Sequence, residues 1–190
     1  MSDPTETIVK VPVAATAGNG FTAVSDWHTE LQEPRQRGDR AALRRAQTVD
    51  DAYGVVSFHR LLHRLAETTD PEAVARLAIV LAGVERDRPP ENGGRTAGWG
   101  EAFGRAVAAS KDGKPCLSED RLRLLLSAED PDQFLRLLRG AVHLLDGTAP
   151  LADLARVVLA WHRPDGRPRI RRQIFLSYFA TLASSEKSNV

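Results

Sequence analysis

Residues 70–84, DPEAVARLAIVLAGV, combine a helix start with an apolar surface that is wide for a single helix. Asp70 is a favoured N-cap, and Pro71 occupies the first helical turn, where its missing N–H removes no hydrogen bond. The apolar residues that follow include Val74, Leu77 and Leu81. Because their arc is broad, we predict that this helix is central to its part of the fold.

Helical signals continue on both sides of this stretch. Asp130-Pro131 repeats the same start, and the residues after it place leucines at helical spacing. No strand-like alternation of polar and apolar residues persists between residues 21 and 184. Helices are expected over these ranges or from these points: 21–33, 40–47 after an Asp39 cap, 50–67, 71–84, 99–110, from Ser118, 131–145, 150–161 and 167–182. The predicted fold is therefore all-α, with about nine helices in two small bundles.

Linkers and termini set the predicted boundaries. Residues 1–20 show no helical period, and we expect a flexible, disordered tail there. Pro89-Pro90 and Gly93-Gly94 predict an exposed loop over residues 88–98. The stretch 111–115, KDGKP, is interpreted as a linker between an N-terminal lobe, 21–112, and a C-terminal lobe, 113–184, with a short tail at 185–190.

Composition limits the location and the partners. The chain has 190 residues, a net charge of +1 and one cysteine, Cys116, so no internal disulfide can form. No apolar run approaches the roughly 20 residues that span a bilayer, and no signal peptide is evident. We expect a cytoplasmic protein without a membrane partner. Of the 26 positively charged residues, 22 are arginines, which suit phosphate but are also favoured by GC-rich genomes.

The sequence carries no pattern that is typical of a catalytic site. The chain has no phosphate-binding glycine loop, and no histidine near Cys116 in the sequence that could activate it. His59 and His63 are four residues apart and could share a metal, but no third ligand is evident. The same spacing describes the basic, solvent-facing side of an amphipathic helix, which we prefer. We predict no enzymatic activity, no cofactor and no metal.

Clustered arginines indicate a function more clearly than the histidine pair does. They recur near residues 35–45, on the stripe Arg136, Arg139 and His143, and between residues 163 and 172. Such clusters are typical of phosphate-binding surfaces, although surface arginines often pair with neighbouring acids instead. Trp27, Trp99 and Trp161 are expected in the core rather than as stacking platforms.

The order of these segments resembles the CasB small subunit of type I-E CRISPR Cascade complexes. The resemblance covers roughly residues 21–182 and rests on the following stretches: the helix with Trp27, GDRAALRRA at 38–46, FHRLL at 58–62, GRA at 104–106, LSEDRL at 117–122, LRLLR at 135–139, LAW at 159–161, and a basic turn before an aromatic terminal helix.

This resemblance implies a non-catalytic, all-helical, two-bundle subunit that binds target and displaced DNA strands and stabilises the R-loop. It implies contacts with crRNA-guided backbone subunits, the large subunit, a second copy of the chain, and single- and double-stranded DNA. Arg45 is the first candidate for nucleic-acid contact. The full predicted set, some of it chosen on charge alone, is Arg44, Arg45, Arg60, Arg105, Arg121, Arg123, Arg139, Arg169, Arg171 and Arg172.

Two other functions remain open. A stand-alone helical DNA-binding regulator would place a recognition helix in the major groove, but no helix shows a base-reading pattern of asparagine, glutamine and arginine. A protein-interaction scaffold would use its arginines to meet acidic partners.

Overall fold

The structure, a computed structural model, describes residues 19–65, 70–88, 99–111 and 114–188. The predicted tail at 1–20 and the predicted loop at 88–98 therefore lie almost entirely outside the described residues. Within the described residues the fold is all-α, which confirms the predicted fold class.

Ten α-helices and one 3₁₀ turn are present in the described parts of the chain. They are α1 Asn19–Leu31, the 3₁₀ turn Pro34–Gln36, α2 Arg37–Arg45, α3 Val49–Tyr53, α4 Val56–Arg64, α5 Pro71–Ala82, α6 Glu101–Ala108, α7 Glu119–Ser127, α8 Pro131–Leu144, α9 Leu151–Trp161 and α10 Arg167–Ser188.

Helix α5 is buried all round, as its sequence predicts. Every residue from Ala73 to Ala82 is buried, and helices α2, α3, α4, α8 and α9 pack around it. Asp70 accepts a hydrogen bond from the Glu72 N–H, and Asp130 caps α8 in the same way by accepting from the Gln133 N–H. Both aspartate–proline starts are thus confirmed.

One continuous set of buried residues includes side chains from both sides of residue 112. The lobe boundary at that position remains an expectation. Trp27 and Trp161 are each 1% exposed, which confirms their predicted place in the core. Trp99 is only partly buried and packs against the edge of the core.

The predicted single helix over residues 50–67 is wrong, because the structure divides this segment into α3 and α4. Thr48 and Asp51 form a capping box that starts α3 at Val49, and Gly54 is its C-cap. Asp39 is not the cap of α2, which already begins at Arg37. Its carboxylate instead accepts hydrogen bonds from the Ser57 N–H at 2.9 Å and the Ser57 hydroxyl at 2.6 Å, so it caps α4 from a distant part of the chain.

Four two-residue strands also differ from the expected pattern. Strand β1, Arg86–Asp87, pairs in parallel with β4, Thr148–Ala149. Strands β2, Ser110–Lys111, and β3, Lys114–Pro115, pair antiparallel across the predicted linker. Helix α10 continues to Ser188, six residues past the predicted helix end at 182, so its last turn replaces the start of the tail expected at 185–190.

Helices α6 and α10 make the most extensive helix–helix contact among the described residues, and two glycines permit it. Gly104 lies against Ser177 and Ile174 of α10, with no room for a Cβ. Gly100 precedes α6 with φ +90°, a conformation that favours glycine. Its N–H and that of Phe103 each donate to the buried Asp153 carboxylate at 2.8 Å, which anchors α6 on α9. Burial raises the pKa of Asp153, although these hydrogen bonds oppose the rise.

Candidate nucleic-acid interface

The end of α2 and one face of α8 form the best-defined basic surface. The Arg139 guanidinium on α8 donates to the Ala46 carbonyl and to the Arg44 carbonyl, both at 2.6 Å. These carbonyls lie at the C-terminal end of α2, where the helix carries partial negative charge and its last C=O groups lack helical partners. Arg139 therefore fastens α2 to α8 as well as contributing a charge.

Exposed cations surround this junction. Arg45 and Arg136 are exposed, and among the described residues neither side chain has a hydrogen-bonding or ionic partner. His143 is also exposed and lies on the same face of α8 as Arg136 and Arg139, because the three are spaced by three and four residues. We call this set, Arg44, Arg45, Arg136, Arg139 and His143, the α2/α8 surface.

Glu85 partly neutralises the α2/α8 surface. Its Oε1 atom lies 3.5 Å from Nη1 of Arg44 and 3.9 Å from Nη2 of Arg40. Arg40 also donates from Nη1 to Oε1 of Gln32 at 2.5 Å. The structure thus adds Arg40 to the candidate residues. Glu85 lies about 40 residues away in the sequence, so only folding brings its carboxylate next to Arg40 and Arg44.

The remaining predicted arginines of the first half of the chain occupy separate places. Arg60 on α4 is exposed and has no polar partner among the residues described. Arg105 on α6 pairs with Glu101 at 2.7 Å. Within the described parts of the chain, no hydrogen bond or ion pair joins either residue to the α2/α8 surface.

Helix α7 carries one free and one paired arginine. Arg121 is exposed without a polar partner in the described structure. Arg123 pairs with Glu119 at 2.5 Å, and its guanidinium carbon lies 6.0 Å from the centre of the Phe175 ring on α10.

At the start of α10, two of the predicted arginines lie over tryptophan rings. The guanidinium carbon of Arg169 is 5.6 Å from the Trp99 ring centre, and that of Arg171 is 5.2 Å from the Trp161 ring centre. Both are cation–π contacts, which hold the charge without neutralising it. Arg172 is exposed and makes no polar contact within the described residues.

Of the two histidines on α4, His59 and His63, His59 contacts the backbone of the preceding helix. His59 Nε2 lies 2.8 Å from the Tyr53 carbonyl oxygen near the end of α3. Across the described residues, no group of three or more histidine, cysteine, aspartate or glutamate side chains is arranged to hold a metal.

No described helix has the length and apolar character needed to cross a membrane.

Sequence reasoning missed a buried arginine. Arg76 is 8% exposed within α5 and pairs with Asp132 at 2.9 Å and Glu72 at 3.1 Å. His162 lies beside it and contacts Asp70 at 2.9 Å. The signal was Arg76 as the single charged residue of the otherwise apolar stretch 73–84. Its network joins α5, α8 and α9, so this arginine is structural rather than available to a ligand.

The fold and these surfaces define an all-α protein that displays arginines on several separate helix faces. The family model described as CRISPR-associated protein Cse2 matches residues 39–179, and the chain belongs to this family. The match confirms the resemblance to the CasB family that the sequence indicates.

One solved structure resembles the chain over most of its length. It is a chain in the crystal structure of E. coli Cascade bound to a PAM-containing double-stranded DNA target, with a TM-score of 0.56 and 17% sequence identity. The match covers 84% of the present chain and 95% of the E. coli chain, so the two share a fold. No curated protein matches the sequence.

Proposed function

We propose that the chain is a non-catalytic small subunit of a Cascade-type CRISPR interference complex. In this role it holds nucleic-acid backbone without reading bases and stabilises the R-loop by contacts with target and displaced strands. Its proposed partners are the guide-bearing backbone subunits, the large subunit, a second copy of itself, and single- and double-stranded DNA. Membership of the Cse2 family and the fold shared with a chain of DNA-bound E. coli Cascade support this proposal.

The observation that carries the nucleic-acid part is the α2/α8 surface. Arg45 and Arg136 are exposed and lack carboxylate partners among the described residues, while Arg139 holds the two helices together. A guanidinium group presents planar donors that match phosphate oxygens, and it binds any sequence equally. Exchange of DNA pairing for guide pairing is nearly balanced in free energy, so a few phosphate contacts can shift it.

The test measures binding of the purified chain to random-sequence single-stranded and duplex DNA at several salt concentrations. Arg45→Glu should weaken binding similarly for every sequence and lower the salt dependence by about one phosphate contact. The helical circular-dichroism signal should stay unchanged, because Arg45 is exposed at the end of α2.

Arg35→Glu is the matched control, because it makes the same change of charge at an exposed arginine that pairs with Glu33. It should weaken binding less than Arg45→Glu. An equal loss in the two variants would contradict the role of Arg45. Strong preference of the wild-type chain for one duplex sequence would favour the stand-alone regulator. Absence of salt-dependent DNA binding would favour the protein scaffold.

A further inference from the structure

We infer that Arg40 and Arg44 form a phosphodiester-binding subsite that the Glu85 carboxylate occupies in the free chain. A backbone phosphate would enter by displacing Glu85, which makes this glutamate an internal competitor for nucleic acid. The inference rests on the proposed function, since it names a particular subsite and its regulation within the phosphate-binding surface.

The two guanidinium groups are arranged around a single anionic oxygen. Arg40 and Arg44 are four residues apart on α2, so they share a helix face. Both approach the same Oε1 atom of Glu85, Arg44 at 3.5 Å and Arg40 at 3.9 Å. Charge-assisted hydrogen bonds are about 2.7–2.9 Å long. The carboxylate therefore sits between two cations but bonds closely to neither.

Arg40 is held in place independently of Glu85. Its Nη1 donates to Oε1 of Gln32, and Nε2 of Gln32 in turn donates to the Val84 carbonyl at 3.1 Å. The buried His28 also contacts the Val84 carbonyl, at 2.9 Å. The Arg40 guanidinium would therefore keep its position when the carboxylate leaves, and it would present a preorganised donor to an incoming anion.

The backbone of Glu85 is fixed, whereas its carboxylate is accessible. The Glu85 N–H donates to the Gly147 carbonyl at 2.7 Å, and a Cβ at Gly147 would lie only 3.0 Å from Cγ of Glu85. Because Gly147 has no Cβ, the Glu85 side chain has room to extend across it. The Glu85 side chain is 51% exposed and that of Arg44 is 47% exposed, so solvent and a phosphate can reach the pair.

Charge balance favours exchange of the occupant. Two guanidinium groups face one carboxylate, which leaves one positive charge in excess, and Arg45 follows directly in the sequence. Exposed ion pairs of this kind contribute little stability, so removal of Glu85 from the subsite is not strongly opposed. A phosphodiester carries the same single negative charge as the carboxylate and likewise has two oxygens that can accept hydrogen bonds, so it can replace Glu85 with one oxygen for each guanidinium.

The experiment compares binding of a 20-nucleotide oligothymidylate by the wild-type chain, Glu85→Gln, Arg44→Gln and the double variant. Glu85→Gln should tighten binding about three- to fivefold, which is the effect of losing one exposed ionic competitor. In the Arg44→Gln background the same change should tighten binding less than twofold. Glu129→Gln is the matched control, because Glu129 is exposed and has no ionic partner within the described residues. It makes the same change of net charge.

The outcomes separate the two proposals. A gain in Glu85→Gln that equals the gain in Glu129→Gln would reflect net charge alone and would overturn the subsite, as would a gain that persists undiminished without Arg44. In either case the wild-type chain still binds the oligonucleotide, and the proposed function stands. Failure of every variant to bind would overturn both proposals. A gain specific to Glu85 and dependent on Arg44 would support the subsite.

Discussion

Replacing Gly104 by alanine tests the contact that fastens the terminal helix to the rest of the fold. A Cβ at this position would overlap Oγ of Ser177 and would lie 2.7 Å from the Ile174 carbonyl oxygen, both on α10. The serine side chain can rotate away. The carbonyl belongs to the backbone of α10, so the two helices must separate to relieve that contact.

The expected magnitude follows from two opposing effects. Alanine stabilises the interior of a helix by about 1 kcal/mol relative to glycine, because it restricts the unfolded chain. Overpacking that shifts a backbone destabilises a fold by about 1–3 kcal/mol, and occasionally by more. Since the overlap at Gly104 involves a backbone atom, we expect a net loss of about 1–2 kcal/mol. For a chain of this size that corresponds to roughly 2–8 °C in Tm.

Urea unfolding monitored by circular dichroism provides the measurement. The midpoint should fall in Gly104→Ala with an unchanged slope. Adding Ser177→Ala should recover only part of the loss, because the Ile174 contact remains. Gly140→Ala on α8 is the control, since a Cβ added there would meet no atom within 4 Å, and it should be neutral or stabilising. Gly104→Ala with wild-type stability or better would refute the close approach of α6 and α10.

Two further predictions concern polar groups that the fold has buried or recruited. Asp39→Ala should lower the free energy of unfolding by about 1–2 kcal/mol, because it removes the cap of α4. Asp26→Ala, at an exposed position, is the control and should leave stability unchanged. Equal urea midpoints for the two variants would contradict the capping role of Asp39. Burial lowers the pKa of His28 below its ordinary value of 6.5. As the pH falls below 6.5, His28 is therefore protonated in the unfolded chain before it is protonated in the folded chain. The free energy of unfolding should fall with it, by at most about 1.4 kcal/mol per pH unit. Urea midpoints between pH 7.5 and 5.5 should therefore show a steeper decline in the wild-type chain than in His28→Gln, and parallel declines would refute the assignment.

Local sequence signals located most helices because those signals act over one or two turns. An aspartate followed by proline positions a cap and the first helical residue together, and this sufficed for α5 and α8. The wide apolar arc of residues 70–84 likewise predicted the buried central helix. These features depend on neighbours within four residues, which the sequence displays directly.

The errors came from interactions between distant segments. Asp39 has the residue type of an N-cap, but the helix it caps begins 17 residues later, at Val56. Its acceptor oxygen is used by Ser57, which lies nearby only because α2 and α4 pack together. The break between α3 and α4 is the exception, because its signal is local: Gly54 ends α3, but the residues on either side of it have similar helical character.

The arginine surface shows the same limit more sharply, because a helical period states which residues share a face but not what that face meets. Arg136 and Arg139 are one turn apart on α8, and the sequence offers no reason to distinguish them. In the fold, Arg139 donates to two carbonyls at the end of α2, whereas Arg136 remains exposed. Glu85 likewise reaches Arg44 across 41 residues. The charge available to a phosphate therefore depends on tertiary neighbours that decide, arginine by arginine, whether the guanidinium is already engaged.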